Sequence, residues 1–204
     1  MRKLTTPISE EAVRELTVGE PVSLSGIIAT GRDAAHKYII ENFVSTAGNP
    51  PQTEQDTYAE LKKVLTNGVI YHCGPVVQKT NGTWSFVAAG PTTSIREEPY
   101  QADVIKHFQL RAVIGKGGMG AKTLQGCQDV GAVYLHAIGG AASLIAQSVK
   151  EVLAVHKMDF GVPEAFWIIR VEDFPTVVTM DSQGNSLHKQ VLERSSSKLA
   201  ELLR

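Results

Sequence analysis

The sequence predicts an α/β fold, a single domain over residues 1–204 built on a mixed, partly parallel sheet. Three observations predict it. Short apolar runs rich in β-branched residues alternate with helix-like stretches, the pattern of strands joined by crossover helices. The 204 residues, 43% hydrophobic and 20% charged, suffice for one real core. No internal repeat or low-complexity segment divides the chain.

Taken in order, Ser9 is an N-cap candidate with acidic residues in the first turn of a short helix reaching Leu16. Val22 to Thr30 reads as a strand that Gly31-Arg32-Asp33 breaks. Asp33 can cap the helix that follows, Ala34 to Phe43. Arg32 and His36 are four apart and can meet over its first turn, at the C-terminal end of a strand, where ligands sit in α/β sheets. Residues 47–56 read as a polar surface loop, and Thr57 to Thr66 as a helix ended by Asn67-Gly68. After the short run Val69-Ile70-Tyr71, two strand-like stretches, Val76–Thr80 and Thr83–Val87, flank Asn81-Gly82, which specifies a β-hairpin with a type I′ turn.

A helix is expected from Gln101 to Gln109, a strand from Arg111 to Ile114, a helix from Ala121 to Asp129 and a strand from Ala132 to Ala137. Gly139-Gly140 then opens a long helix, Ala141 to His156. Two strands follow, Phe166–Val171 and Thr176–Met180, then a turn at Ser182–Asn185 and a charged tail that is helical from Leu192.

The chemistry concentrates between Gly90 and Gly120. That stretch opens with Gly-Pro-Thr-Thr-Ser-Ile-Arg and closes with Gly-Lys-Gly-Gly-Met-Gly. Each end joins permissive backbone to one cation, Arg96 or Lys116, and the first adds the hydroxyls of Thr92, Thr93 and Ser94. Glycines let N–H groups approach a ligand, and arginine offers a planar fork to a carboxylate. The pattern suits a small dicarboxylate. Residues 115–120 also satisfy the dinucleotide pattern G-x-G-x-x-G, but Leu135-His136-Ala137 supplies no acidic residue for a ribose, and Ala121 breaks the P-loop spacing before Lys122-Thr123.

The net charge of −1 gives no footprint for nucleic acid or a membrane surface, no apolar run is long enough to span a bilayer, and no signal-peptide core follows the charged start. The expectation is a cytoplasmic protein. Cys73 and Cys127 stand far apart, so no disulfide framework and no metal site within this chain is expected. His72, His107, His136, His156 and His188 have no suggestive neighbours in sequence and are read as structural.

These motifs together resemble the beta subunit of two-subunit iron–sulfur hydro-lyases of the tartrate/fumarate type, equivalent to the C-terminal domain of class I fumarases. The resemblance runs nearly end to end: Leu4-Thr-Thr-Pro-Ile8, Gly31-Arg-Asp33 with His36, Cys73-Gly-Pro75, Gly90-Pro-Thr-Thr-Ser94 with Arg96, Ile114 to Gly120, Gly139-Gly-Ala-Ala142, Gly161-Val-Pro-Glu164, and Asp181 with Gly184-Asn185. Glu97 departs from it, standing where many relatives have Met.

The resemblance implies a swivelling β/β/α domain and reversible hydration, fumarate to malate or tartrate to oxaloacetate. It implies a [4Fe–4S] cluster held by an alpha subunit, in an α2β2 assembly. It also implies that Arg32, Arg96 and Lys116 bind substrate carboxylates with Asp33, Thr93 and Gly117 beside them, and that Thr92 is the base for the carbon-bound proton. A threonine hydroxyl is a weak acid needing activation, whereas His36 has the better intrinsic pKa, so both stand as candidates. Two other readings are a nucleotide-binding module and a non-catalytic stabilising partner.

Overall fold

A computed structural model describes residues 1–203. Its strands are β1 (Arg2–Thr5), β2 (Pro21–Thr30), β3 (Val69–Tyr71), β4 (Val76–Thr80), β5 (Thr83–Ala88), β6 (Ala112–Gly115), β7 (Val133–His136), β8 (Val149–His156) and β9 (Phe166–Met180). Its helices are α1 (Glu10–Arg14), α2 (Asp33–Ile39), α3 (Gln55–Leu65), α4 (Glu98–Phe108), α5 (Ala121–Val130), α6 (Ala142–Ala146) and α7 (Leu187–Leu202), with a π-helical turn at Ile40–Val44 and 3-10 turns at Gln52–Glu54, Ser94–Glu97 and Met158–Phe160.

The sheet is mixed and closes on itself. Strands β2, β3, β6 and β7 run parallel, β9 pairs antiparallel with β7, and β9 also pairs antiparallel with β2, completing a ring of five strands. β1 adds alongside β2 and β8 alongside β9. The short parallel strands are buried on both faces, which is why they read as unbroken apolar runs. Val69, Tyr71, Ala112, Ile114, Val133 and Leu135 point into one core, inside the ring. Ile70, Val113 and Tyr134 alternate into a second core that α2, α3, α4 and α5 cover. The hairpin β4–β5 stands apart and packs Trp84 and Phe86 edge-on against Trp167 of β9.

Several expectations are corrected. The long helix expected from Ala141 to His156 is the five-residue α6 followed by strand β8. Val149, Val152 and Val155 all pack on the inner core at a spacing of three, which imitates a helix. Bulges between Val149 and Glu151 and between Val152 and Ala154 interrupt the strand period of two and produce that spacing. The two expected strands at the end are one, because Asp173 adopts a left-handed backbone (φ 48°) and Pro175 stays within the ladder opposite Ser23. β1 lies in a segment assigned no element from sequence, and the tail helix begins at Leu187 rather than Leu192. Asp33 is not the cap of α2: Arg32 occupies that position, and the carboxylate of Glu164 accepts from Ala34 N at 3.1 Å instead. Ser9 does cap α1, accepting from Ala12 N.

A candidate anion site at the ends of the parallel strands

The C-terminal ends of β2, β3, β6 and β7 open on one side of the ring, and the motif residues extend from them. Thr92 N donates to the carbonyl of His72 just beyond β3 (2.7 Å), Lys116 N donates to Thr92 O (3.2 Å) and Ser94 N donates to Lys116 O (3.0 Å). These bonds lay the 92–94 segment beside Lys116 as an extra strand, with a parallel bridge between Thr93 and Lys116 and an antiparallel one between Cys73 and Pro91. Gly117 and Gly118, both at φ near 80°, turn the chain away from Lys116 toward α5 in a conformation that favours glycine.

Arg32 arrives from β2. It lies so close over Gly74 that a Cβ there would meet Arg32 Nη1 at 2.5 Å, so Cys73-Gly-Pro75 has its glycine by necessity. Its Nε is 3.3 Å from Glu164 Oε1, an ion pair in which that nitrogen keeps no hydrogen-bond partner. Arg96 reaches across from the 3-10 turn to Asp33, with Nε donating to Oδ1 at 3.0 Å and Nη2 lying 2.9 Å from Oδ2. Lys116 forms no ion pair among the described residues. Thr92 and Lys116 are half-buried, while Thr93, Arg96 and Gly117 are exposed. The site therefore presents cations and a hydroxyl to solvent.

Behind it runs a buried chain of polar side chains that the sequence did not reveal. His36 is fully enclosed, with Nδ1 at 2.9 Å from Arg32 O and Nε2 at 2.9 Å from the Gln101 amide. His72 Nε2 meets the same amide at 2.7 Å, and its Nδ1 lies 2.8 Å from Ser94 Oγ, to which Tyr134 OH donates. Burial holds both histidines neutral: it lowers His36, and it brings His72 down to about 3. A neutral His36 gives its one N–H to the Arg32 carbonyl, which anchors the backbone of that arginine.

Among the described residues both buried carboxylate oxygens of Glu97 lack a hydrogen-bond partner, and buried Arg32 Nε and Asp33 Oδ2 have only ion-pair partners, Glu164 and Arg96. Native interiors leave few such atoms, so a concentration of them marks a place built for more than packing.

The structure thus brings Arg32, Asp33, Thr92, Thr93, Arg96, Lys116 and Gly117 to one face and leaves His36 one layer beneath. His72, read as structural, is part of that layer, its ring 5.0 Å from His36. Glu164, Gln101 and Tyr134 were also missed; each meets its site partner across the fold, so no local spacing could have shown it. The glycine pattern at 115–120 does lie between a strand and a helix, as a dinucleotide turn would. However, the N–H groups of Gly120, Lys122 and Thr123 at the start of α5 already donate to Glu98, at 2.7, 3.0 and 3.3 Å. A pyrophosphate needs those same donors.

The chain's own residues do not fit an iron–sulfur cluster. Cys73 lies in the inner core and Cys127 in the helix-side core, and burial pushes both thiols up to about 12, far from the thiolate form a cluster requires. No group of three or more His, Cys, Asp or Glu among the described residues is placed to hold a metal ion.

A model of the family described as Fumarase C-terminus matches residues 2–191. The chain is 52% identical over 199 residues to a putative fumarate hydratase class I of Geobacillus stearothermophilus, a match covering 97% of this chain and 35% of that protein. It is 40% identical over 198 residues to a putative L(+)-tartrate dehydratase subunit beta of Methanocaldococcus jannaschii, covering 96% and 95% of the two chains. To the L(+)-tartrate dehydratase subunit beta of Escherichia coli (strain K12) it is 36% identical over 185 residues, covering 90% of this chain and 85% of that one.

Proposed function

The chain belongs to the fumarase C-terminus family, and from that premise we propose that it is the beta subunit of a fumarate hydratase, a hydro-lyase interconverting fumarate and L-malate. The observation that carries the reading is that the loops bearing Arg32, Thr92, Arg96 and Lys116 lie together at the open ends of the parallel strands, with the Thr92 and Lys116 backbones hydrogen-bonded and Arg96 reaching Asp33 beside Arg32. The 52% identity to a fumarate hydratase favours that substrate. The second reading, beta subunit of an L(+)-tartrate dehydratase, is favoured by the 95% coverage of a relative bearing that name.

In this reading the arginines and Lys116 hold the two substrate carboxylates. Arg96 exchanges Asp33 for one of them, and Thr93 and the Gly117 backbone line the pocket beside them. The same cations stabilise the charge that builds on a carboxylate when the adjacent carbon loses its proton. Thr92, next to Lys116, is the base on the site surface. His36 holds Arg32 by its carbonyl and stands as the alternative base.

The [4Fe–4S] cluster belongs to an alpha subunit, to which the beta name of two relatives points. When bound, it supplies a Lewis acid for the hydroxyl group. Exposed Ile95 and Ile138 beside the site give that partner an apolar rim to cover, and an α2β2 assembly in the cytoplasm completes the proposal. No helix among the described residues is long and apolar enough to cross a membrane.

The test is kinetic. Arg96→Met and Lys116→Met should each lower kcat/KM roughly 30- to several-thousand-fold, the effect of roughly 2–5 kcal/mol of lost charge pairing in the transition state. Melting temperatures should hardly move. Lys122→Met, in the first turn of α5, should leave turnover intact. Equal losses at Lys116 and Lys122 would overturn the anion-site reading.

A further inference from the structure

Glu97 has no place in the chemistry described so far, and it is the most anomalous side chain in the molecule. It is fully buried at the end of the 3-10 turn that carries Arg96, and neither carboxylate oxygen has a hydrogen-bond partner among the described residues. A buried ionised carboxylate without partners is costly, and proteins avoid it by keeping the proton. Adjacent Glu98 shows the contrast: its carboxylate caps α5 and takes the Thr123 hydroxyl at 2.6 Å.

We propose that Glu97 is a positioning residue of the anion site, which takes up a proton as a dicarboxylate engages Arg32, Arg96 and Lys116 and so keeps a third negative charge out of their neighbourhood. The inference rests on the dicarboxylate reading above.

The charges around Glu97 decide its behaviour. Burial and then the Asp33 carboxylate raise it, its own backbone N–H, Arg96 and Arg32 oppose them, and the balance stands at about 7. A ligand carboxylate drawing Arg96 away from Asp33 removes part of that opposition and adds a like charge, so the proton is held more tightly in the bound state. The sign follows: below about 7 Glu97 is neutral with or without ligand and binding moves no proton. Above it, binding takes up as much as one proton, and affinity falls by as much as tenfold per pH unit until the bound-state value is passed.

Other titrating groups nearby do not imitate this. His36 on α2 and His72 beyond β3 are buried neutral, and Tyr134 on β7 is raised by burial. His136 and His188, across from Lys116, are lowered by burial and are therefore already neutral above pH 7.

Glu97→Gln mimics the neutral acid and preserves its volume. The complex with the iron–sulfur partner would be titrated with L-malate between pH 7 and 9 by calorimetry, in buffers of different ionisation enthalpy, which counts protons taken up. Wild type should take up a substantial fraction of a proton near pH 8 and bind more weakly as pH rises. Glu97→Gln should take up none and bind equally across the range. Proton uptake undiminished in Glu97→Gln, or none in wild type, would overturn the role of Glu97 while leaving the malate site standing. Failure of both proteins to bind malate at any pH would overturn the dicarboxylate reading and this inference with it.

Discussion

Arg96 is held by Asp33, which fixes its geometry in advance at the expense of an ion pair that, in the proposed function, a substrate carboxylate would replace. The exchange is an inexpensive one, because the Arg96 side chain is about half exposed and surface ion pairs of this kind contribute roughly 0–1 kcal/mol. Beside it, Thr92 and His36 divide the candidates for the base by depth. Thr92 opens on the site, whereas His36 is sealed between α2 and Gln101 with both ring nitrogens engaged. If Thr92 takes the proton, Thr92→Val should abolish exchange of the carbon-bound hydrogen of malate with solvent while binding persists, and His36→Asn should leave exchange measurable. The reverse pattern, read by NMR in deuterated buffer, would assign the base to His36. Arg32, Thr92, Arg96 and Lys116 were legible in the sequence because each sits in a local glycine or hydroxyl pattern that suits an anion. Glu164 and Gln101 were not, since their importance lies in partners far along the chain.

At the scale of elements, the site depends on loops laid against strand ends with almost no clearance. Gly74 is one of these fits: an added Cβ would meet Arg32 Nη1 at 2.5 Å and the backbone carbonyl of Pro163 at 2.9 Å, and the latter cannot swing away. Gly74→Ala should displace Arg32 and reduce kcat/KM roughly ten- to a hundredfold. Gly82→Ala is the control, because its site has open space and only a strained φ of +84° in the hairpin turn. It should cost about 1 kcal/mol of stability and no activity. Paired melting curves and kinetics separate the two, and a Gly74→Ala enzyme with normal kcat/KM would remove the loop from the placement of Arg32. The alternation of strands and helices from α1 through β7 was legible because buried parallel strands and Asn-Gly or Gly-Gly turns write strong local signals. β8 was not legible, since two bulges give a strand the periodicity of a helix. The closing of the ring by β9 depends on its pairing with β2, more than a hundred residues earlier, which no local pattern encodes.

In the proposed function, the whole molecule supplies one half of a chemistry. Its cations gather at an open end of the ring, beside exposed apolar side chains at Ile95 and Ile138, while its two thiols lie in separate cores on opposite faces of the sheet. A [4Fe–4S] cluster with one open iron needs three converging thiolates. Two neutral, buried thiols that face apart cannot become such a set by any side-chain rotation, because the sheet stands between them. The isolated chain should therefore purify colourless and without hydratase activity. Activity should appear on anaerobic mixing with an iron-loaded alpha subunit, and removal of that iron by chelation should abolish turnover without unfolding this chain. The decisive variant is the pair Cys73→Ala, Cys127→Ala. Each change removes one buried sulfur, so a loss of roughly 1–2 kcal/mol of stability is expected. The complex should nevertheless keep its cluster absorbance and its kcat, because neither thiol touches the metal. A brown isolated chain with stoichiometric iron, or a double variant whose complex loses the cluster band, would place a ligand in this chain and overturn the division of labour.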